Sequence, residues 1–176
     1  LRDLKQAVER GSGASFDLSQ VKAAVISARN MWRQTWMKEH RTIAADEWLS
    51  LMLNQLGVSL SPVDLREIQT FMEHGVFRNL PVLVPEARAV LADLSTRYKL
   101  AIISDTGITP GSVLRQLLEE DEIISYFTHL TFSDELGRSK PHPDTFLSTL
   151  GALEVTSRQA IHVGDLLRTD IAGAQA

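Results

Sequence analysis

No cysteine occurs in the 176 residues, which excludes a disulfide framework and thiolate chemistry and fits the cytoplasm. No apolar run approaches the ~20 residues a membrane helix needs, and no signal-peptide pattern opens the chain. No basic run is present either: 18 Lys and Arg stand against 22 Asp and Glu, a formal net charge of −4. That balance argues against binding to a nucleic-acid backbone. No Gly-rich loop ends in Lys-Ser or Lys-Thr, so a P-loop nucleotide site is excluded. What is there, 44% hydrophobic and 23% charged residues, supports one ordinary domain or a domain carrying a smaller subdomain.

Residues 1–80 contain no convincing strand. A short helix is expected over Leu1–Glu9, closed by Gly11-Ser12-Gly13. Leu18, Val21, Val25, Ala28, Trp32 and Trp36 recur at steps of three or four and trace one face of a long helix. At that spacing Trp32 and Trp36 read as packing residues rather than a stacking platform for a ligand. Another helix is expected from Ala45 to Leu56, stopped by Gly57, and a further one from Ser61-Pro62 to about Gly75. His40 and His74 fall near helix ends, with no partner at metal-ligand spacing. These elements predict a small helical bundle. Pro81 and Pro85 then stiffen an extended crossing into a second region.

From Pro85 the pattern alternates. A helix is expected from Pro85, a strand over Tyr98–Ile103, and a helix from Thr109-Pro110 to about Leu118. A weaker strand follows at Leu130–Phe132, then a helix from Pro143 to Leu150, a strand at Ala160–Val163, and a helix start at Asp170. Alternation of this kind predicts a parallel sheet covered by helices. In such sheets, residues just past the carboxyl ends of the strands converge on one crevice.

Ser104, Lys140 and the carboxylates Asp165 and Asp170 lie at or near those ends. Each has an ordinary explanation: Ser104-Asp105-Thr106-Gly107 is good turn chemistry, a loop Lys is normally solvated, and Asp170 could cap a helix. Together, a hydroxyl, a cation and a carboxylate pair on successive strand ends suit phosphoryl transfer. Ser104 can donate to a phosphoryl oxygen and Lys140 can offset developing negative charge. Mg²⁺, a hard ion, would bridge protein and phosphate through Asp165. Two roles stay open for Asp170, orienting Lys140 or orienting a metal-bound water.

Three ordered stretches carry a resemblance. Ser104 after an apolar strand, Lys140-Pro141 within Gly137-Arg138-Ser139-Lys140-Pro141-His142-Pro143, and Gly164-Asp165 with Asp170 are similar to the second, third and fourth motifs of the haloacid dehalogenase-like hydrolases. Asp170-Ile171-Ala172-Gly173-Ala174 is similar to the start of that family's next helix. The resemblance implies an α/β fold, a Rossmann-like parallel-sheet core with a helical-bundle cap subdomain. Residues 1–80 would be the cap, 14–80 the cap proper, and 81–176 a truncated hydrolase core. It implies that Ser104 binds the phosphoryl group, with Asp105 and Lys140 also on the substrate. Lys140 would also stabilise the nucleophile, and Asp165 would ligate Mg²⁺ with Asp170 in support. Asp105 stands where the family often has Asn.

The family's first motif, Asp-x-Asp at the end of a strand, has no counterpart before the helices, since Asp3 is followed by Leu4-Lys5. The expectation is a chain cut at both ends from a normal enzyme, with its sheet incomplete and no hydrolase activity of its own. The complete protein would be a Mg²⁺-dependent hydrolase of small phosphorylated metabolites, acting through an aspartyl-phosphate. Dehalogenase, phosphonate hydrolase and phosphomutase chemistries use similar scaffolds, and a non-catalytic binding module is the alternative from another class. Nothing in the sequence specifies the substrate or an oligomeric state.

Overall fold

The computed structural model describes residues 1–176. They fall into two compact units. One comprises Leu1–Glu39, Ile43–Leu80 and Gly107–Thr109, and the other His40–Thr42, Pro81–Thr106 and Pro110–Ala176.

The first unit is helical: α1 (Arg2–Ser12), α2 (Leu18–Glu39), α3 (Ala45–Leu56) and α4 (Pro62–Glu73), with a 3-10 turn at His74–Arg78. The helix ends follow from local chemistry. Gly13 and Gly57 both adopt φ 69°, the left-handed cap that a Cβ disfavours. At α4 the Ser61 hydroxyl accepts the Asp64 N–H at 3.1 Å, and Pro62 occupies the first turn. The inward faces of all four helices, with Ile43 from the segment between α2 and α3, build one core from Val8, Ala24, Ala28, Ile43, Trp48, Leu49, Met52, Leu53, Ile68 and Met72. Burying a side chain such as Leu49 or Met52 contributes roughly 1.5–3 kcal/mol. Trp32 packs against this core, and its ring stacks on Trp36 with centroids 5.6 Å apart.

The second unit contains α5 (Ala87–Ser95), β1 (Leu100–Ser104), α6 (Gly111–Glu120), β2 (Phe127–Phe132), α7 (Ser133–Leu136), α8 (Pro143–Leu153) and α9 (Ala172–Gln175). β1 and β2 pair in parallel, with Ile102 opposite Leu130 and Ser104 opposite Phe132. The α6 crossover between them is what parallel pairing requires. Because Ser104 and Phe132 are in register, the loop beginning at Asp105 and helix α7 beginning at Ser133 leave the sheet side by side.

Several expected boundaries shift. The first strand runs Leu100–Ser104 and so includes Ser104, and the helix expected from Pro85 starts at Ala87. Pro110 is the residue before α6 rather than its first turn. The Thr109 side chain caps nothing, and the Asp134 carboxylate accepts the Gly111 N–H at 3.1 Å and 3.2 Å instead. Helix α6 also abuts β2: a Cβ on Gly111 would lie 2.6 Å from the Phe132 ring.

The strand expected at Ala160–Val163 does not form. The sheet has two strands, and Ala160–Gly164 joins no ladder. Ile161 and Val163 are 93% and 88% exposed. The apolar alternation is present in the sequence, but a strand exists only where another chain segment accepts from its N–H groups and donates to its C=O groups. Asp170, expected at a helix start, lies within a π-helical turn at Leu167–Ile171 that leads into α9.

Candidate active site

Asp105, directly after β1, uses its carboxylate to hold another loop. Its Oδ1 accepts the Lys140 N–H at 2.8 Å. Turn chemistry at Ser104-Asp105-Thr106 therefore fixes the backbone of Lys140, 35 residues further along. The neighbouring hydroxyls tighten the same edge. Ser133 Oγ accepts the Thr106 N–H at 2.8 Å, and Thr106 Oγ1 donates to Asp134 Oδ1 at 2.8 Å. Thr42 Oγ1 meets Ser133 Oγ, lies 3.1 Å from Ser139 Oγ, and is 3.4 Å from the Thr106 carbonyl. The Ser139 N–H donates to the His40 carbonyl at 2.7 Å. Thr42, Thr106, Ser133 and Ser139 are all buried. Burial of so many hydroxyls is tolerable because each is bonded.

From that anchored backbone the Lys140 side chain reaches Asp170, with Nζ 2.6 Å from Oδ1. Side-chain exposure is 13% for Lys140 and 4% for Asp170. The same Oδ1 lies 3.1 Å from His162 Nε2, and Oδ2 accepts the Leu166 N–H at 3.1 Å. Burial alone would raise the Asp170 pKa, but the bonds from Lys140, His162 and the Leu166 N–H outweigh it and hold the carboxyl at about 2. Asp170 is thus a fixed carboxylate at neutral pH. A Cβ on Gly164 would lie 2.3 Å from Asp170 Cγ, so glycine at that position is what lets the carboxylate sit there.

The sequence-based candidates are distributed as follows. Asp105, Lys140 and Asp170 form one bonded chain. Ser104 ends β1 immediately before Asp105. Asp165 is exposed on the turn before Leu166. Of the two roles open to Asp170, the bonds bear on the first: Oδ1 takes Lys140 Nζ, while Oδ2 takes the Leu166 N–H. No three His, Asp or Glu side chains converge as a metal cage. Asp165 offers one open carboxylate, a donor set suited to a cation that keeps its waters and takes further oxygens from a phosphate. His162 is the residue that sequence reasoning missed. The signal was the alternation in Ile161-His162-Val163: an extended segment points successive side chains to opposite sides, and His162 is turned inward, with its side chain 18% exposed.

A sequence profile of the haloacid dehalogenase-like hydrolases matches residues 19–176. The chain belongs to this family. A glyceraldehyde 3-phosphate phosphatase of Pyrococcus abyssi is 41% identical over 93 residues, which cover 52% of this chain and 38% of that protein. A phosphoglycolate phosphatase of Photorhabdus laumondii is 32% identical over 95 residues, covering 53% and 39%. The matched stretch therefore spans under two-fifths of either relative's length. Among solved structures, a 2-haloacid dehalogenase of Pseudomonas syringae superposes with a TM-score of 0.64 at 21% identity, covering 99% of this chain and 71% of that one. At that identity the likeness concerns the fold, which is the Rossmann-like α/β fold of the family.

Proposed function

We propose that the whole protein is a Mg²⁺-dependent phosphatase of small phosphorylated metabolites and that residues 81–176 supply its phosphoryl-binding and charge-neutralising groups. The observation that carries this reading is Lys140. Its backbone is tied to Asp105 at the end of β1 and its ammonium group to Asp170, so a cation is held ready at the carboxyl edge of the sheet. Phosphoryl transfer needs little else from a protein beyond such positioning and neutralisation. The likeness to two phosphatases supports phosphoryl rather than haloacid chemistry.

In this reading Ser104 donates its hydroxyl proton to a phosphoryl oxygen, and Lys140 offsets the charge that builds on the transferring group. Asp105 lines the substrate end of the same loop while fixing the Lys140 backbone. Asp170 keeps Lys140 aimed. Asp165 would hold Mg²⁺, which when bound adds positive charge against the phosphate oxygens. The helices of residues 14–80 would act as a cap.

The aspartyl-phosphate route also needs a nucleophilic carboxylate. Asp105 is engaged by the Lys140 amide and Asp170 by Lys140 and His162. Neither is a free nucleophile, Asp165 is assigned to the metal, and residues 1–176 alone are expected to turn over no phosphoester.

The test is phosphate release by the full-length protein across a panel of phosphorylated metabolites, with and without EDTA. Lys140→Met is expected to lower kcat by about 10²–10³-fold, the usual effect of losing one charge-stabilising donor. Undiminished turnover in that variant would remove Lys140 from the chemistry, and undiminished turnover in EDTA would remove the metal assigned to Asp165.

A further inference from the structure

His162 has no part in the reaction as read above, yet it shares an oxygen with the central ion pair. Its Nε2 lies 3.1 Å from the Asp170 Oδ1 that also accepts Lys140 Nζ at 2.6 Å. A carboxylate oxygen only accepts, so Nε2 carries the proton in this contact. The imidazole is itself held: Phe146 of α8 meets it edge to face, with centroids 5.1 Å apart and planes at 77°. Phe146 in turn cannot retreat. A Cβ at Gly173 would lie 2.3 Å from its Cε2, so the ring already fills the space against α9. A bracket results, running from α9 through Phe146, His162 and Asp170 to Lys140.

We propose that His162 is a positioning residue for Lys140, acting through Asp170. With the Leu166 N–H on Oδ2 and Lys140 on Oδ1 alone, the carboxylate could turn and carry the ammonium group with it. A third donor, held rigidly by Phe146, fixes the carboxylate plane and hence the point at which Lys140 Nζ stands. Groups that orient a catalytic side chain in this way typically matter by about 10–100-fold when removed. The reaction consequence rests on the phosphatase reading, whereas the holding of Lys140 does not.

Two variants of the full-length protein separate a donor from mere bulk. His162→Phe keeps a ring against Phe146 and loses the donor. His162→Gln loses the ring but can place an amide N–H near the position of Nε2. In phosphate-release kinetics, His162→Phe is expected to lose about 10-fold in kcat with KM changed less than twofold, and His162→Gln to recover most of that loss. A second readout needs no turnover. Acylation of Lys140 by an amine-directed reagent, followed by peptide mass spectrometry, should speed up several-fold in His162→Phe and stay near the wild-type rate in His162→Gln. Equal impairment of both variants would assign His162 to packing and overturn the proposal. So would wild-type labelling in His162→Phe. If the wild-type protein releases no phosphate at all, the phosphatase reading fails and the labelling comparison alone decides the role of His162.

Discussion

Asp170 makes the sharpest claim on measurement. Its carboxyl titrates at about 2 against an ordinary 3.8, a gap worth roughly 2 kcal/mol of folding free energy. The pKa is lower in the folded state than in the unfolded one. The charge therefore stabilises the fold fully above about pH 4, and that contribution drains away as pH falls toward 2. Integrated over the titration, roughly 1 kcal/mol is gone by pH 3 and roughly 2 kcal/mol by pH 2.

Asp170→Asn removes the titration and leaves Lys140 Nζ, previously 2.6 Å from its partner, without a counter-charge in a mostly buried site. Breaking a buried pair from one side costs about 3–5 kcal/mol. The variant should therefore be destabilised at pH 7 by more than the titration alone implies. Adding Lys140→Met removes the stranded charge and should recover part of the loss. The assay is urea unfolding of wild type, both single variants and the double variant at several pH values between 3 and 7. Other carboxylates titrate in all four proteins, so the difference between curves isolates Asp170. Parallel wild-type and Asp170→Asn curves, or no recovery in the double variant, would refute the claim that this pair is buried and mutually dependent.

Three further substitutions probe the packing that supports the site. Gly164→Ala would bring a Cβ to 2.3 Å from Asp170 Cγ, and the displaced carboxylate should cost at least about 1–3 kcal/mol in thermal unfolding while releasing Lys140 to acylation. Gly111→Ala sets a Cβ 2.6 Å from the Phe132 ring, and a loss of about 1–3 kcal/mol is expected in urea unfolding, opposite in sign to the gain alanine normally brings to a helix. Thr42→Val removes the hydroxyl that Ser133 and Ser139 share; a loss of about 1–3 kcal/mol in urea unfolding is expected, with Thr42→Ser close to wild type.

The parts of the fold that were legible in the sequence are those decided within a few residues. Helix α4 could be read from Ser61 and Pro62 because the hydroxyl that caps it is three residues from the N–H it accepts. Helix α3 ends at Gly57 for an equally local reason. The start of α6 was misread because its cap is remote: Asp134, 23 residues beyond Gly111, does the work that Thr109 was expected to do. Ala160–Val163 has the composition of a strand, but pairing depends on a neighbour that no local pattern specifies. Trp32 packs against the helical core, as its spacing implied, and Trp36 stacks on Trp32, a consequence of the four-residue step along α2.

At the candidate site, residues that read as turn formers bond to segments far along the chain. Ser104-Asp105-Thr106-Gly107 invited an ordinary reading as turn chemistry and a functional reading as phosphate-binding chemistry. Asp105 and Thr106 do bond as turn residues do, but the groups they bond belong to Lys140, Ser133 and Asp134. Thr106 Oγ1 accepts the Asp134 N–H of α7 and Asp105 Oδ1 accepts the Lys140 N–H, and the second of these fixes where the Lys140 side chain begins. Asp170 resolves in the same manner. A helix cap would have turned its oxygens to nearby amides, and one of them does take the Leu166 N–H. The other faces Lys140 and His162, which are 30 and 8 residues away. Sequence spacing could offer these roles only as alternatives, because it counts residues along the chain. A carboxylate has two oxygens, and the fold gives each a different task.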